Sequence, residues 1–210
     1  MSRGEPVCPR CARALHPPGV WSSAWRCDLH GEVVPLQPSL TPGAEQLASV
    51  ASRAEVPVWV PWPLPIGWLV TGVRYAGEDR GPARAVATAC SGPGLLGGPV
   101  DLVLVAEEPG IGLGAHYAGL SSTDPGPDIA RLPSDTKVSA AGHPTPLWSV
   151  PLPEDRSVYV GEAAGLWLWL VVWPVGEWMV VHDELTLVDL RAPGHGLDVP
   201  FGAPTPRLAS

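Results

Sequence analysis

Lysine is nearly missing from this 210-residue sequence: Lys137 stands alone beside twelve arginines. With the excess of Ala, Gly and Pro, that reads as a high-GC codon bias rather than a surface specialisation. Positive charge is short overall, since 13 Lys and Arg face 21 Asp and Glu for a formal net charge of -8. Residues 1–30 hold four Arg against Glu5 and Asp28, so the acidic excess lies in residues 31–210. A body of that sign is a poor partner for nucleic acid, whose binding rests on neutralising phosphates with Lys and Arg. Membrane-spanning runs are also lacking. Pro57, Pro61, Pro63 and Pro65 interrupt the apolar run 56–73, and the run 163–176 is shorter than the ~20 residues a helical span needs. The polar stretch 1–11 has no apolar segment of the signal-peptide kind, which predicts a cytoplasmic setting. No Gly-Lys pair occurs, which excludes a Walker phosphate loop.

Proline (27) and glycine (24) make up about a quarter of the chain, near the composition at which disorder becomes the default. The apolar content argues the other way. Hydrophobic residues reach 45%, only 16% are charged, and 10 residues are Trp, which supplies ample surface to bury. A folded, loop-rich, mainly β protein (β-rich α+β) is expected.

Three units are legible: a metal-binding module at 1–34, a proline linker and helix at 35–55, and an acidic, Trp-rich β domain at 56–210. Pro35, Pro38 and Pro42 hold the linker extended. Thr41 suits a helix N-cap with Pro42 at the first helical position, and Leu47, Val50, Ala51 and Ala54 fall on one face of a helix of about thirteen residues. Strands are expected at 56–60, 68–76, 84–91, 101–107, 137–141, 157–161, 166–173 and 178–190. Their spacing suggests an antiparallel sandwich or curled sheet. The run 166–173 is apolar on both faces and reads as a central strand, with Pro174-Val175-Gly176 turning it back into 178–190. Segment 121–135, with Pro125, Pro127 and Pro133 among Asp124, Asp128 and Asp135, reads as an exposed loop.

The strongest chemical signal is Cys8-Pro9-Arg10-Cys11 followed, after fifteen residues, by Cys27-Asp28-Leu29-His30. Each pair of ligands at i and i+3 sits on a tight turn that aims two donors at one point, and two such turns close a tetrahedron in the manner of a zinc ribbon. Gly31 suits the second turn, and Trp21, Trp25, Val33 and Val34 are placed to pack beside it. Three thiolates and one imidazole fill every position around Zn²⁺, which marks a structural centre. A catalytic centre requires His30 to point away, leaving Cys8, Cys11 and Cys27 with a water. His16 is the one nearby substitute ligand, and four unliganded side chains in a small hairpin are the bland account.

Other constellations are weaker. Gly92, Gly94, Gly97 and Gly98 match G-x-G-x-x-G by letter, as an anion loop would, yet Pro99 and a strand follow where a dinucleotide site needs a helix. Glu107 and Glu108 precede a glycine-rich stretch with His116 and Tyr117. A fold-back of that stretch would make a carboxylate and imidazole pair, and a solvated strand end is the plain alternative. His182, Asp183 and Glu184 read as part of a surface strand, and Cys90 as a buried inert thiol. In Pro61-Trp62-Pro63-Leu64-Pro65, alternate prolines predict an extended segment. It is a partner-docking edge through Trp62, Pro63 and Pro65 if Trp62 is exposed, and a stiff strut if it is buried.

These residues also carry a resemblance. The C-x2-C and C-x2-H pairs, the block from Val56 to Pro65, Thr71-Gly72-Val73, Cys90-Ser91-Gly92-Pro93-Gly94, Gly97-Gly98-Pro99, Ala106-Glu107-Glu108 and Gly112-Leu113-Gly114-Ala115 together resemble an actinobacterial family known as a domain of unknown function. The resemblance spans essentially the whole chain. It implies a high-GC actinobacterial source and a cytoplasmic setting, and it supplies no catalytic residues.

The sequence therefore predicts a non-catalytic zinc-ribbon protein that binds a protein partner or a small ligand. The alternative is a small acyl- or phosphoryl-transfer enzyme using the Gly92–Gly98 loop with Glu107, Glu108 and His116. Convergence of those groups in one pocket would favour the enzyme, and scatter would count against it.

Overall fold

The computed structural model describes residues 4–20, 22–126, 129–151, 154–182, 185–192 and 198–209. Two short strands, β1 (Arg26–Cys27) and β2 (Gly31–Glu32), make the hairpin of the second Cys turn. Helix α1 (Ala44–Ala51) precedes β3 (Trp59–Pro61), β4 (Leu69–Gly77), β5 (Ala83–Pro93) and β6 (Pro99–Glu107). After the short α2 (Leu113–Ala118) come β7 (Thr136–Ala140), β8 (His143–Ser149), β9 (Ser157–Ala163), β10 (Leu166–Trp173), α3 (Met179–His182) and β11 (Thr186–Asp189).

Among the described residues, nine strands join one sheet in the order β3-β11-β7-β8-β9-β10-β6-β5-β4. The sheet curls. Its first strand, β3, lies over the face of β5, where the Thr88 hydroxyl donates to the Trp59 carbonyl. Alternation along β5, β6 and β10 divides the core in two. Val86, Cys90, Leu102, Leu104, Leu168 and Leu170 point into the curl with Trp59, Trp68 and Leu187. Ala87, Ala89, Val103, Val105, Trp169 and Val171 point outward, where α2, Leu36 and Leu208 cover them. This double burial is why 166–173 carries no polar face, and β10 is a central strand between β6 and β9.

Several expectations are corrected. The helix begins at Ala44 with Gly43 as its cap, so Thr41 and Pro42 lie outside it, although Leu47 and Val50 are buried as the spacing predicts. The run 178–190 is not one strand: α3 occupies its first part, after a 3-10 turn at Val175–Glu177. Among the described residues of the run only Thr186–Asp189 is a strand, and it pairs parallel with β7 and antiparallel with β3 rather than returning along β10. The backbone of His182 belongs to α3, while Asp183 and Glu184 lie outside the described residues.

Strand β8, with Pro144 and Pro146, has no counterpart among the expected strands, because proline demotes a run in any sequence-based reading. The described residues of 121–135 form a largely exposed loop as expected, with a 3-10 turn at Ile129–Arg131, and it is tied down at two points. Asp124 accepts the Gly110 amide at 3.0 Å and the Trp167 indole at 2.9 Å, and Asp135 accepts the Ser149 amide at 2.7 Å. Pro127, Asp128 and Trp21 lie outside the described residues.

Candidate metal centre

The first Cys turn is closed by backbone bonds from Ala12 to the Cys8 carbonyl and from Cys8 to the Arg13 carbonyl, at 2.9 and 2.8 Å. The second is the β1–β2 hairpin, in which Cys27 faces Gly31 across the ladder. Gly31 has φ +67, a backbone conformation that a side chain disfavours, so this turn calls for glycine. Cys8 and Cys27 are buried, Cys11 and His30 half-buried.

The donor atoms converge. Sγ of Cys8 lies 3.4 Å from Nδ1 of His30, Sγ of Cys11 3.7 Å from Sγ of Cys27, and Sγ of Cys27 3.7 Å from Nδ1 of His30. All four donors lie within 4.8 Å of one another, so the group can hold a metal ion. A tetrahedron with metal–sulfur bonds of ~2.3 Å has sulfur–sulfur edges of ~3.8 Å, close to the 3.7 Å between Cys11 and Cys27. His30 points inward, and the exposed His16 instead meets Asp28 at 2.9 Å. Burial pushes the Cys8 thiol up to about 12. Burial acts against ionisation of Cys27 as well, but the Leu29 and His30 amides outweigh it and bring that thiol down to about 6. A bound dication overrides such preferences and deprotonates coordinating thiols outright.

The cluster is anchored to the sheet. Between Cys8 and Cys11, Arg10 donates from Nη2 to the Gly110 carbonyl at 2.6 Å and from Nε to the Ile111 carbonyl at 3.2 Å. Trp25 reaches Glu78 at 3.1 Å, and Leu36 bridges both Val7 and Ala76. No feature of the spacing pointed to Arg10. The neighbouring Val34 packs in the outward core cluster.

The stretch after Glu107 does fold back over it, but the cleft that His116 lines includes neither Glu107, Glu108 nor the Gly92–Gly98 loop. The Gly92–Gly98 loop lies at one end of β6 and Glu107 at the other, about 27 Å away at the ~3.4 Å rise of a strand. The loop already holds a carboxyl group of its own chain: Glu177 accepts the Leu95 and Leu96 amides at 2.9 and 3.1 Å. Glu107 is fully buried and accepts the Leu113 and Gly114 amides at 2.7 and 3.1 Å. The Trp169 indole N–H faces it without closing a well-formed hydrogen bond. Burial outweighs the two amides and pushes Glu107 up to about 8. Glu108 points away to Arg84 at 2.9 Å, whereas His116 sits on α2 beside a separate cleft. Cys90 is buried, with its thiol pushed up to about 12 by that burial.

Around Trp62 the chain turns instead of running extended. The Trp62–Pro63 peptide is cis, and the Trp68 amide bonds back to the Pro65 carbonyl. Trp62 is 37% exposed, Pro63 and Pro65 are exposed, and Leu64 packs on the core.

No curated protein and no solved structure matches this chain. A family model described as "Family of unknown function (DUF6758)" matches residues 2–208, nearly the whole length. Cys turns, curled sheet and the Trp-Pro turn all fall within that match, and the chain belongs to the DUF6758 family.

Proposed function

We propose that Cys8, Cys11, Cys27 and His30 bind one Zn²⁺ as a closed structural centre, in a non-catalytic protein that acts as a binding module for a protein partner or small ligand. The observation that carries this reading is the donor cluster itself: three sulfurs and one imidazole nitrogen within 4.8 Å of one another, at edges suited to a tetrahedron. Cysteine-rich donor sets of this kind favour zinc over the harder cations. Four donors from the chain leave no coordination position for substrate, which is why the role is structural.

In this reading residues 1–34 are the metal module, 35–55 the connector and 56–210 the binding body. Metal thiolates and a free Cys90 suit the reducing cytoplasm. Trp62, Pro63 and Pro65 form an exposed aromatic turn of the type that protein partners use. The enzyme alternative loses support, because its loop and carboxylates sit at opposite ends of β6.

Native mass spectrometry of the purified chain tests the metal. One zinc per chain, lost in Cys8→Ser and in Cys27→Ser, is expected. A metal-free chain after refolding with zinc, or undiminished zinc in both variants, overturns the reading.

A further inference from the structure

Away from the metal centre, three basic side chains from three separate segments line one cleft of about 430 Å³. His116 comes from α2, Arg156 from the residue before β9, and Arg207 from the 3-10 turn Pro206–Leu208 near the C-terminal end. Their shared wall is the buried Trp173 at the end of β10. The Arg156 and Arg207 guanidinium carbons lie 5.0 and 5.1 Å from that ring's centroid.

Both guanidinium groups are held in place. Arg156 binds Asp155 through Nε and Nη2 at 2.7 and 3.1 Å and the Tyr117 carbonyl through Nη1 at 2.8 Å. A guanidinium carries five N–H donors, so these three bonds leave Arg156 with two to offer. Arg207 lies 3.5 Å from Asp101, whose Oδ1 already accepts the Ser91 and Thr205 hydroxyls at 2.6 and 3.0 Å. Fixing a cationic fork before the ligand arrives lowers the ordering cost of binding.

We infer that this cleft binds a phosphate group carried on a small organic body. Basic side chains drawn from three separate segments, with two spare N–H donors on Arg156, suit a tetrahedral oxyanion with three terminal oxygens. A carboxylate, planar with two oxygens, is satisfied by one arginine fork. The cleft exceeds what a bare phosphate fills and lies within the ~300–1,000 Å³ of small-molecule sites, with Gly119 and Leu120 lining the rest. The inference rests on the reading of the chain as a binding module and needs nothing from the metal.

The test is a titration of the full-length protein with phenyl phosphate, inorganic phosphate and benzoate, followed by calorimetry. Saturable phenyl phosphate binding, tighter than that of inorganic phosphate or benzoate, is expected. It should weaken at least about tenfold in Arg207→Gln and in His116→Gln, two changes near the surface that spare the core. Absence of saturation, or equal affinity in both variants, overturns the site. Equal affinity for benzoate overturns the choice of phosphate, and equal affinity for inorganic phosphate overturns the organic body. Release of phenol supports the site while overturning the non-catalytic reading. Zinc content of the same samples, read by mass spectrometry, reports separately on the metal centre.

Discussion

The carboxyl group of Glu177 occupies the space that a Cβ on Gly94 would fill, and it binds the two amides that follow that glycine. Gly92 is fixed in the same way by the Trp68 ring, which lies against its backbone. Two glycines of the pattern that resembles a phosphate loop are thus explained by close approaches inside the chain, and Gly97 by its φ of +88. Gly94→Ala should cost about 1–3 kcal/mol through overpacking, and Glu177→Ala a similar amount by leaving two amides unpaired. Urea denaturation of the two single variants and the double variant checks this. The double variant should lose less than the sum of the single losses, because the alanine methyl then meets no carboxyl group.

Glu107 makes stability depend on pH. Its folded pKa of about 8 lies above the ordinary value of 4.5, so the folded chain holds a proton that the unfolded chain releases. The contribution is full below pH 4.5 and fades as pH rises towards 8, with a slope of at most about 1.4 kcal/mol per pH unit. Glu107→Gln removes the titration. Denaturation midpoints between pH 5 and 9 should fall in the parent protein relative to the variant; parallel curves would refute the assignment.

Removing the metal should be felt beyond the Cys turns. Arg10 lies between two proposed ligands and holds the carbonyls of Gly110 and Ile111, so chelation should raise amide exchange at 7–34 and also at 109–113. Arg10→Ala should loosen 109–113 alone by about 1–2 kcal/mol with zinc retained. Hydrogen-exchange mass spectrometry distinguishes the two patterns.

Tryptophans at different depths should respond differently. Trp169, fully buried on the outward face of β10, should cost about 3–5 kcal/mol on replacement by Ala. Trp62, at 37% exposure, should cost under about 2 kcal/mol, leaving its variant folded enough for partner-binding assays. Equal losses at the two positions, read from denaturation midpoints, would place Trp62 in the core.

Much of this architecture was legible from local signals. The spacing of Cys8, Cys11, Cys27 and His30 foretold their convergence, because ligands at i and i+3 on tight turns are a local matter. The doubly apolar run 166–173 declared a central strand, and Leu47 with Val50 declared the buried face of α1. Elsewhere the local signal misled. Proline in β8 hid a strand, and apolar residues at 178–182 suggested a strand where a helical turn forms.

The remaining decisions belong to tertiary structure. Whether Gly94 serves an external anion or Glu177 depends on a residue 83 positions away. Whether Glu107 is a solvated acid depends on α2 closing over it, and whether Arg156 and Arg207 share a cleft depends on β9 and the C-terminal turn meeting at Trp173. Hydrophobic period and turn chemistry act over a few residues, so the sequence by itself determined the convergence of Cys8, Cys11, Cys27 and His30 and the β class. Burial and charge neighbourhood are set by which distant segments pack together, and only the folded chain decided them.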